Sequence, residues 1–507
     1  MNLDTATAAT IQTARGRPVP SGAIAIVDIG SNSVRLVIYE SLSRTPAVVH
    51  NEKAICAIGR NMVSSGRLSE EGIRSALEAL ARYRMLADAH HVENKEAVAT
   101  AAARDAPNGK ELIRRAEAAW GAPIRILSGE EEAHIAAEGV IAGIPDAHGL
   151  AADLGGGSLD MVPVSNGNTG QPLTFPFGPL RLVDLAKGDC EEARHIVEKA
   201  LAKEESLRNI SGGTLYAVGG AWRSFARLDM DERRYPLHVL HHYEIPRGRA
   251  LKLAKIIAQM SRKQLERIRI VSRRRAEALP YGAIVLERLL MATGLQRVVI
   301  SAYGLREGIL HMRLPRQERA KDPLIEFAAA TNSRVSRAPG HAGELFHWMA
   351  SLFPGETVEL GRVRQAACLF SDIGWRRHPD DRAAGAFSQV VTAPFSGTSH
   401  RTRVMIASAV FHRYSGDEDF PPGIGVEGLL DEADSRLARR IGLAARLGFA
   451  ISGSAEGQLP NYALSAESNR VLLQVPRVRQ AVASEPVQKR LAALAQAFGR
   501  KAEVLIA

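Results

Sequence analysis

Asp28-Ile29-Gly30-Ser31-Asn32-Ser33, the stretch DIGSNS, lies between two runs rich in β-branched residues: Ala23-Ile24-Ala25-Ile26-Val27 before it and Val34-Arg35-Leu36-Val37-Ile38-Tyr39 after it. Both runs have the length and composition of strands. A carboxylate at the end of the first, followed by a glycine, hydroxyls and an amide, puts small hydrogen-bonding groups in a tight turn that can face a phosphate. In a P-loop or a dinucleotide fingerprint the glycines open a helix. Here the chain returns as a strand, so the element reads as strand, phosphate turn, strand. An ordinary hairpin, whose Gly and Asn only satisfy turn geometry, is the alternative.

A second copy decides between them. Asp153-Leu154-Gly155-Gly156-Gly157-Ser158 follows Gly149-Leu150-Ala151-Ala152 and precedes Leu159-Asp160-Met161-Val162-Pro163-Val164. Both turns read Asp, aliphatic, Gly, any two residues, Ser, and both stand between strands. Repetition of such a unit points to a duplicated domain with a cleft between the copies.

At 507 residues the chain exceeds what one core supports, so two to four domains are expected. Apolar content of 46% with 24% charged residues is that of a soluble globular protein. Cys56, Cys190 and Cys368 are far apart and form no CxxC pair, which fits a reducing cytoplasm and suggests no structural zinc. Residues 1–21 lack the apolar core of a signal peptide and read as a flexible tail. No apolar run is long enough to span a bilayer.

The net charge of +10 is unevenly placed. From Arg247 to Arg275 there are eleven basic residues against one acid, Glu266, a difference equal to the excess of the whole chain. Arg262, Lys263, Arg267, Arg273, Arg274 and Arg275 are the candidate core of a polyanion track, because many weak phosphate contacts add. A solvated helix face is the competing reading.

Ser69 caps a helix whose apolar residues Ile73, Leu77, Leu80 and Leu86 fall near helical spacing. After the strand Glu96–Thr100 comes Arg104, whose fork can clamp a phosphate or merely lie at a surface turn. The run Ser128 to Val140 opens a helix with Glu130, Glu131 and Glu132 in its first turn, where acids suit the macrodipole. Steps of three, four, seven and eight from Glu132 reach Ile135, Ala136, Gly139 and Val140, the apolar face. A carboxylate on that face needs compensation or a cleft, which makes Glu132 a better catalytic candidate than its neighbours. Further on, a strand ends at Gly219-Gly220, where a helix N-terminus can hold an anion. From about residue 323 the pattern turns helical, apart from a short β-like piece at 471–475. Its histidines have no ligand spacing, and no His-Asp dipeptide occurs anywhere in the chain.

Taken together, VDIGSNSVRLVIYE (27–40), SGEEEA (128–133), DLGGGSLDMV (153–162), AVGGAWRSFARL (217–228), RAEALPYGA (275–283) and SAYGLREGIL (301–310) resemble, in order, the family of exopolyphosphatases and guanosine pentaphosphate phosphohydrolases, a branch of the actin-like superfamily. The resemblance implies an α/β fold of two ribonuclease-H-like lobes with a cleft between them, at 22–148 and 149–315, followed by a mainly helical HD-like region at 323–507. It further implies removal of a terminal phosphoryl group from polyphosphate or pppGpp with Mg²⁺, by a cytoplasmic homodimer with no membrane or specific nucleic-acid partner. The family's catalytic glutamate matches Glu132. Its acidic metal and phosphate positions fall on Asp153 and Asp160, with Asp28 a further candidate; at Asp160 the family usually carries Glu, one methylene longer. Ser31, Asn32, Ser33, Arg104, Gly155, Gly156, Gly157, Ser158, Gly219 and Gly220 are the candidate phosphate binders. The helical region shows Ser371-Asp372 where a histidine would precede the aspartate, so no second active site is expected there. Alternatives to polyphosphate hydrolysis are conversion of pppGpp to ppGpp, phosphotransfer to ADP or a sugar, and a non-catalytic actin-like binding protein, the last disfavoured by the placement of Glu132.

Overall fold

The computed structural model describes residues 22–210, 213–416 and 425–507; the expected tail at 1–21 lies outside them. The chain forms two compact units, the first ending at Ser128 and the second running from Gly129 to Ala507.

The first unit is built on a five-stranded sheet of β1 (Ile24–Ile29), β2 (Ser33–Tyr39), β3 (Val48–Ile55), β4 (Asn94–Ala99) and β5 (Arg125–Ile126). The spatial order is β3-β2-β1-β4-β5, with β2 antiparallel and β4 parallel to β1. β1 lies between two neighbours, and its IAIVDI sequence is buried nearly throughout, as a central strand covered on both faces requires. The helix Glu70–Ala89 packs on this sheet, opened by Ser69, whose side chain accepts from Gly72 N–H at 3.2 Å. Such a cap contributes ~1 kcal/mol. Ile73, Leu80 and Tyr83 are buried on its inner face, as the spacing predicts for the first two.

The second unit repeats the plan. Its strands are β6 (His148–Leu154), β7 (Leu159–Ser165), β8 (Asn168–Thr169), β9 (Leu173–Phe175), β10 (Thr214–Val218), β11 (Tyr243–Pro246) and β12 (Arg297–Ile300), in the order β11-β12-β10-β6-β7-β8, with β9 also on β7. β7 is antiparallel to β6, while β10 runs parallel to β6 and β12 parallel to β10. Without β9 and β11, this is the same third-second-first-fourth-fifth order as in the first unit. The helix Gly129–Gly143 packs within this second unit, so the division falls before that helix rather than after it, at 148. Two glycines make its seat. A Cβ on Gly139 would stand 2.1 Å from Gly304 O, and one on Gly308, in the helix Leu305–Arg313, would stand 1.8 Å from Ile135 O.

The helical remainder gathers Phe370, Phe387, Val404, Ile406 and Val410 in one core. It also holds a three-stranded sheet of β13 (Ala463–Ala466), β14 (Arg470–Val475) and β15 (Lys501–Ile506). Only β14 shows in the sequence, because it alone is apolar and buried; β15 is exposed along most of its length. Asp372, in the place where an HD pair would sit, is a buried anchor: Arg337 donates to both of its oxygens, at 2.6 and 3.1 Å.

Candidate active site

The two phosphate turns are built alike. Gly30 N–H donates to Ser33 O and Gly155 N–H to Ser158 O, both at 3.0 Å. Each turn has its carbonyls held from behind by backbone donors. In the first, Asn32 O accepts from Cys56 and Ala57, and Ser31 O from Gly59 at 2.9 Å. In the second, Gly156 O accepts from Leu180 and Arg181 at the start of the helix Pro179–Leu185. The close approach needs a residue without a side chain at Gly178, where a Cβ would stand 2.5 Å from Gly155 O. With the carbonyls engaged, the hydrogen-bonding capacity left to a turn of this kind is its N–H and side-chain groups, the kind that binds anions.

In the first unit, Asp28 is the next-to-last residue of β1, opposite Arg35 on β2, and Ser31 and Asn32 follow in the turn before Ser33 opens β2. Arg104 lies near the end of the short helix Ala101–Asp105 and donates to Leu127 O and to Asp105, each at 3.1 Å.

In the second unit the site forms at the carboxyl ends of β6, β10 and β12, where α/β sheets bind ligands. Asp153 is the next-to-last residue of β6, and its carboxylate lies between two glycines. A Cβ on Gly219 would stand 3.3 Å from its Oδ1, and one on Gly304 would stand 3.8 Å from its Oδ2. Gly219 has φ +111°, which only glycine adopts readily, and leads into the helix Gly220–Glu232. Asp160 pairs with Asp153 across the ladder and is 2% exposed; Ser158 Oγ donates to its Oδ2 at 2.7 Å. The proton of Ser158 is thus spent on Asp160, and what Ser158 offers elsewhere is lone pairs.

Glu132 is 8% exposed, while Glu130 and Glu131 on the same turn are more open to solvent. The front of its helix is located by a chain of neighbours. A Cβ on Gly129 would stand 2.7 Å from Thr174 Cγ2, Thr174 pairs with Asp160, and Asp160 pairs with Asp153. The helix therefore begins at the end of the sheet that carries both aspartates.

Arg275 does not extend outward with its neighbours. Its Nη1 donates to Gly220 O at 2.8 Å and Ser224 Oγ at 2.6 Å, bracing the first turn of the helix that follows Gly219. Burial, and then Arg227 beside it, pull its guanidinium below the usual pKa. Arg262 pairs with Glu266 at 2.7 Å. Lys263, Arg267, Arg273 and Arg274 are exposed and make no ion pair among the described residues. Sequence reasoning assigned no task to Gly304 or Gly178, because a glycine's part in a site is written in what approaches it. Gly304 lies within the stretch SAYGLREGIL, and that is the only signal it gave.

Two sheets of one strand order, each with a glycine turn after an aspartate, are the fold of a phosphatase. Residues 37–317 match the Ppx/GppA phosphatase family, and residues 324–505 match the family described as exopolyphosphatase, C-terminal. The chain belongs to the Ppx/GppA phosphatase family. It is 27% identical over 311 residues to Exopolyphosphatase 2 of Mycobacterium tuberculosis, covering 56% of this chain and 97% of that one. It is 26% identical over 435 residues to Retrograde regulation protein 2 of Saccharomyces cerevisiae, covering 77% and 72%. The crystal structure of an exopolyphosphatase from Cytophaga hutchinsonii has the same fold over 57% of this chain and 97% of that one, with a TM-score of 0.53 at 23% identity. No helix among the described residues is long and apolar enough to cross a membrane.

Proposed function

We propose that this phosphatase is an exopolyphosphatase, hydrolysing the terminal phosphoanhydride bond of inorganic polyphosphate and releasing orthophosphate. The observation that carries the reading is the glycine-walled carboxylate Asp153, at the end of the sheet where the helix of the buried Glu132 begins. Phosphoryl transfer asks mainly for positioning and charge neutralisation. The second turn holds the terminal phosphate through backbone N–H groups of Gly156 to Ser158, with the Gly219-Gly220 helix start beside Asp153. Glu132 orients the attacking water and takes its proton. Asp160 fixes the rotamer of Ser158.

The donor set suits Mg²⁺. Asp153 offers hard oxygen between the two glycine walls, in a space that a Cβ would fill. A single enclosed carboxylate fits an ion that keeps most of its waters and takes one or two carboxylates plus substrate phosphate. Asp153 would hold it, with Asp160 through water, and when bound it would neutralise charge on the transferring group. The same reading has the enzyme acting as a cytoplasmic homodimer; its cysteines are not joined as disulfides.

The test is phosphate release with Mg²⁺ from long polyphosphate and from pppGpp, for wild type and Glu132→Ala side by side. A positioned base is worth ~10²–10⁴-fold, so turnover falls by about that factor in the variant while polyphosphate binding persists. Faster release from pppGpp moves the substrate to the alarmone, and undiminished turnover in the variant removes Glu132 from the mechanism.

A further inference from the structure

The helix that carries Glu132 is seated by backbone contacts with Gly304 and Gly308 and by Val140 and Ile141, buried in one cluster with Val162, Tyr216 and Val299. Polar pins add to that seat. Along the helix Glu138 pairs with His311 at 2.9 Å and His134 with Thr169 at 3.1 Å, and two more pins meet at its last residue. Gly143 O accepts from His241 Nε2 at 3.1 Å and from Gly397 N–H at 2.8 Å. His241 Nδ1 in turn accepts from Ala302 N–H at 3.2 Å, at the loop that leads to Gly304 beside Asp153. Those two bonds fix the neutral ring with its proton on Nε2. The ring stands edge-on to Tyr303 at 5.0 Å, and a Cβ on Gly143 would fall 2.8 Å from His241 Cε1 and 2.2 Å from Tyr303.

From the other side, the helical third grips the same histidine. His400 Nε2 donates to His241 O at 3.0 Å, and Tyr235 O–H donates to His400 Nδ1 at 2.9 Å. The loop that presents Gly397 is set by Arg403, 1% exposed, which donates to Ala393 O and Phe395 O at 2.6 Å each and stacks on the Phe395 ring.

We infer that His241 is a positioning residue for Glu132, and that through it the helical third steadies the end of the helix bearing that carboxylate. A misplacement of about 1 Å at a reacting group can cost ~10²-fold in rate. The inference rests on the reading of Glu132 as the water-activating base, and it gives the helical third a task in catalysis without a second active site.

Full-length His241→Leu, His241→Gln, His400→Leu and Glu132→Gln decide it by steady-state phosphate release from polyphosphate, each variant first shown to be folded by its thermal transition. His241→Leu lowers kcat by about tenfold or more with KM within about twofold, and His241→Gln, whose amide can donate to Gly143 O, returns kcat to within about threefold of wild type. His400→Leu, which leaves His241 itself in place, lowers kcat by about threefold with KM unchanged. A wild-type kcat in folded His241→Leu, equal losses in the Leu and Gln variants, or a loss confined to KM overturns the inference. If His241→Leu does not fold, an unchanged kcat in His400→Leu overturns it. Loss of turnover in Glu132→Gln together with normal turnover in the histidine variants sinks this inference alone, whereas retained turnover in Glu132→Gln sinks the reading beneath it.

Discussion

Asp153 shows how much of a site can depend on atoms that are not there. Its carboxylate occupies a slot whose walls are the backbones of Gly219 and Gly304, and a methyl group on either wall has nowhere to go. On Gly304 it would stand 2.7 Å from Val218 Cγ1, and on Gly219 2.4 Å from Leu154 O in a backbone already at φ +111°. Strain of that sort costs ~1–3 kcal/mol before the clash is counted. Gly219→Ala is expected to lower both the melting temperature and phosphate release, the latter by about tenfold or more, because the carboxylate must shift with its wall. Gly304→Ala should lose activity with a smaller loss of stability, since its φ lies in extended backbone. Melting curves and phosphate release for the pair separate the two effects, and full activity in both would mean that Asp153 needs no such enclosure.

At the level of elements, the junction of His241 and His400 carries a pH dependence. Burial pushes the pKa of His241 down to about 3 and that of His400 down to about 4, with His242 and Arg403 adding to the effect. Below the ordinary histidine range the unfolded chain therefore binds protons that the folded chain refuses. The stability from this junction is present above about pH 6.5 and lost as pH falls towards 4, at up to ~1.4 kcal/mol per pH unit for each ring. Denaturant unfolding between pH 7 and 5 should show the decline, and His400→Gln should flatten it; an unaltered slope would place the acid sensitivity elsewhere. Nothing in the sequence marks this junction. Its histidines have no spacing in common, and Gly143, His241, Ala302, Gly397 and His400 meet only once the helical third is folded. The helix of Glu132 was legible by contrast, because a carboxylate on an apolar stripe violates the pattern that surrounds it. The strands β13 and β15 were not, since short exposed strands lack the alternation by which strands are read.

For the whole molecule, the duplication was the most readable feature: two turns of one pattern implied two sheets of one order, and the sheets agree even to the Gly-to-Ser hydrogen bond of each turn. The basic stripe was readable as charge but not as structure. Folding withdraws Arg275 to brace Gly220, Arg249 to pair with Asp229 at 2.6 Å, and Arg262 to Glu266; Lys252, Lys255 and Arg269 stay exposed, and so do Lys263, Arg267, Arg273 and Arg274 of the six candidates for the track. Those four lie on the short helices Arg262–Arg267 and Arg273–Ala276, and the second of these contains Arg275, bonded to the Gly220 turn. A chain whose end sits at the site and whose length runs outward would meet them only if it were long. Reversing the four to Glu is therefore expected to raise KM for long polyphosphate by about tenfold or more at low salt, while short chains and kcat change little. The salt dependence of log(1/KM) for long chains should become shallower by about 0.7 for each phosphate no longer neutralised, because fewer counterions are released on binding. Equal effects on long and short substrates, or an unchanged salt slope, would mean that these cations only keep the surface solvated, and that the polymer leaves the site by another path.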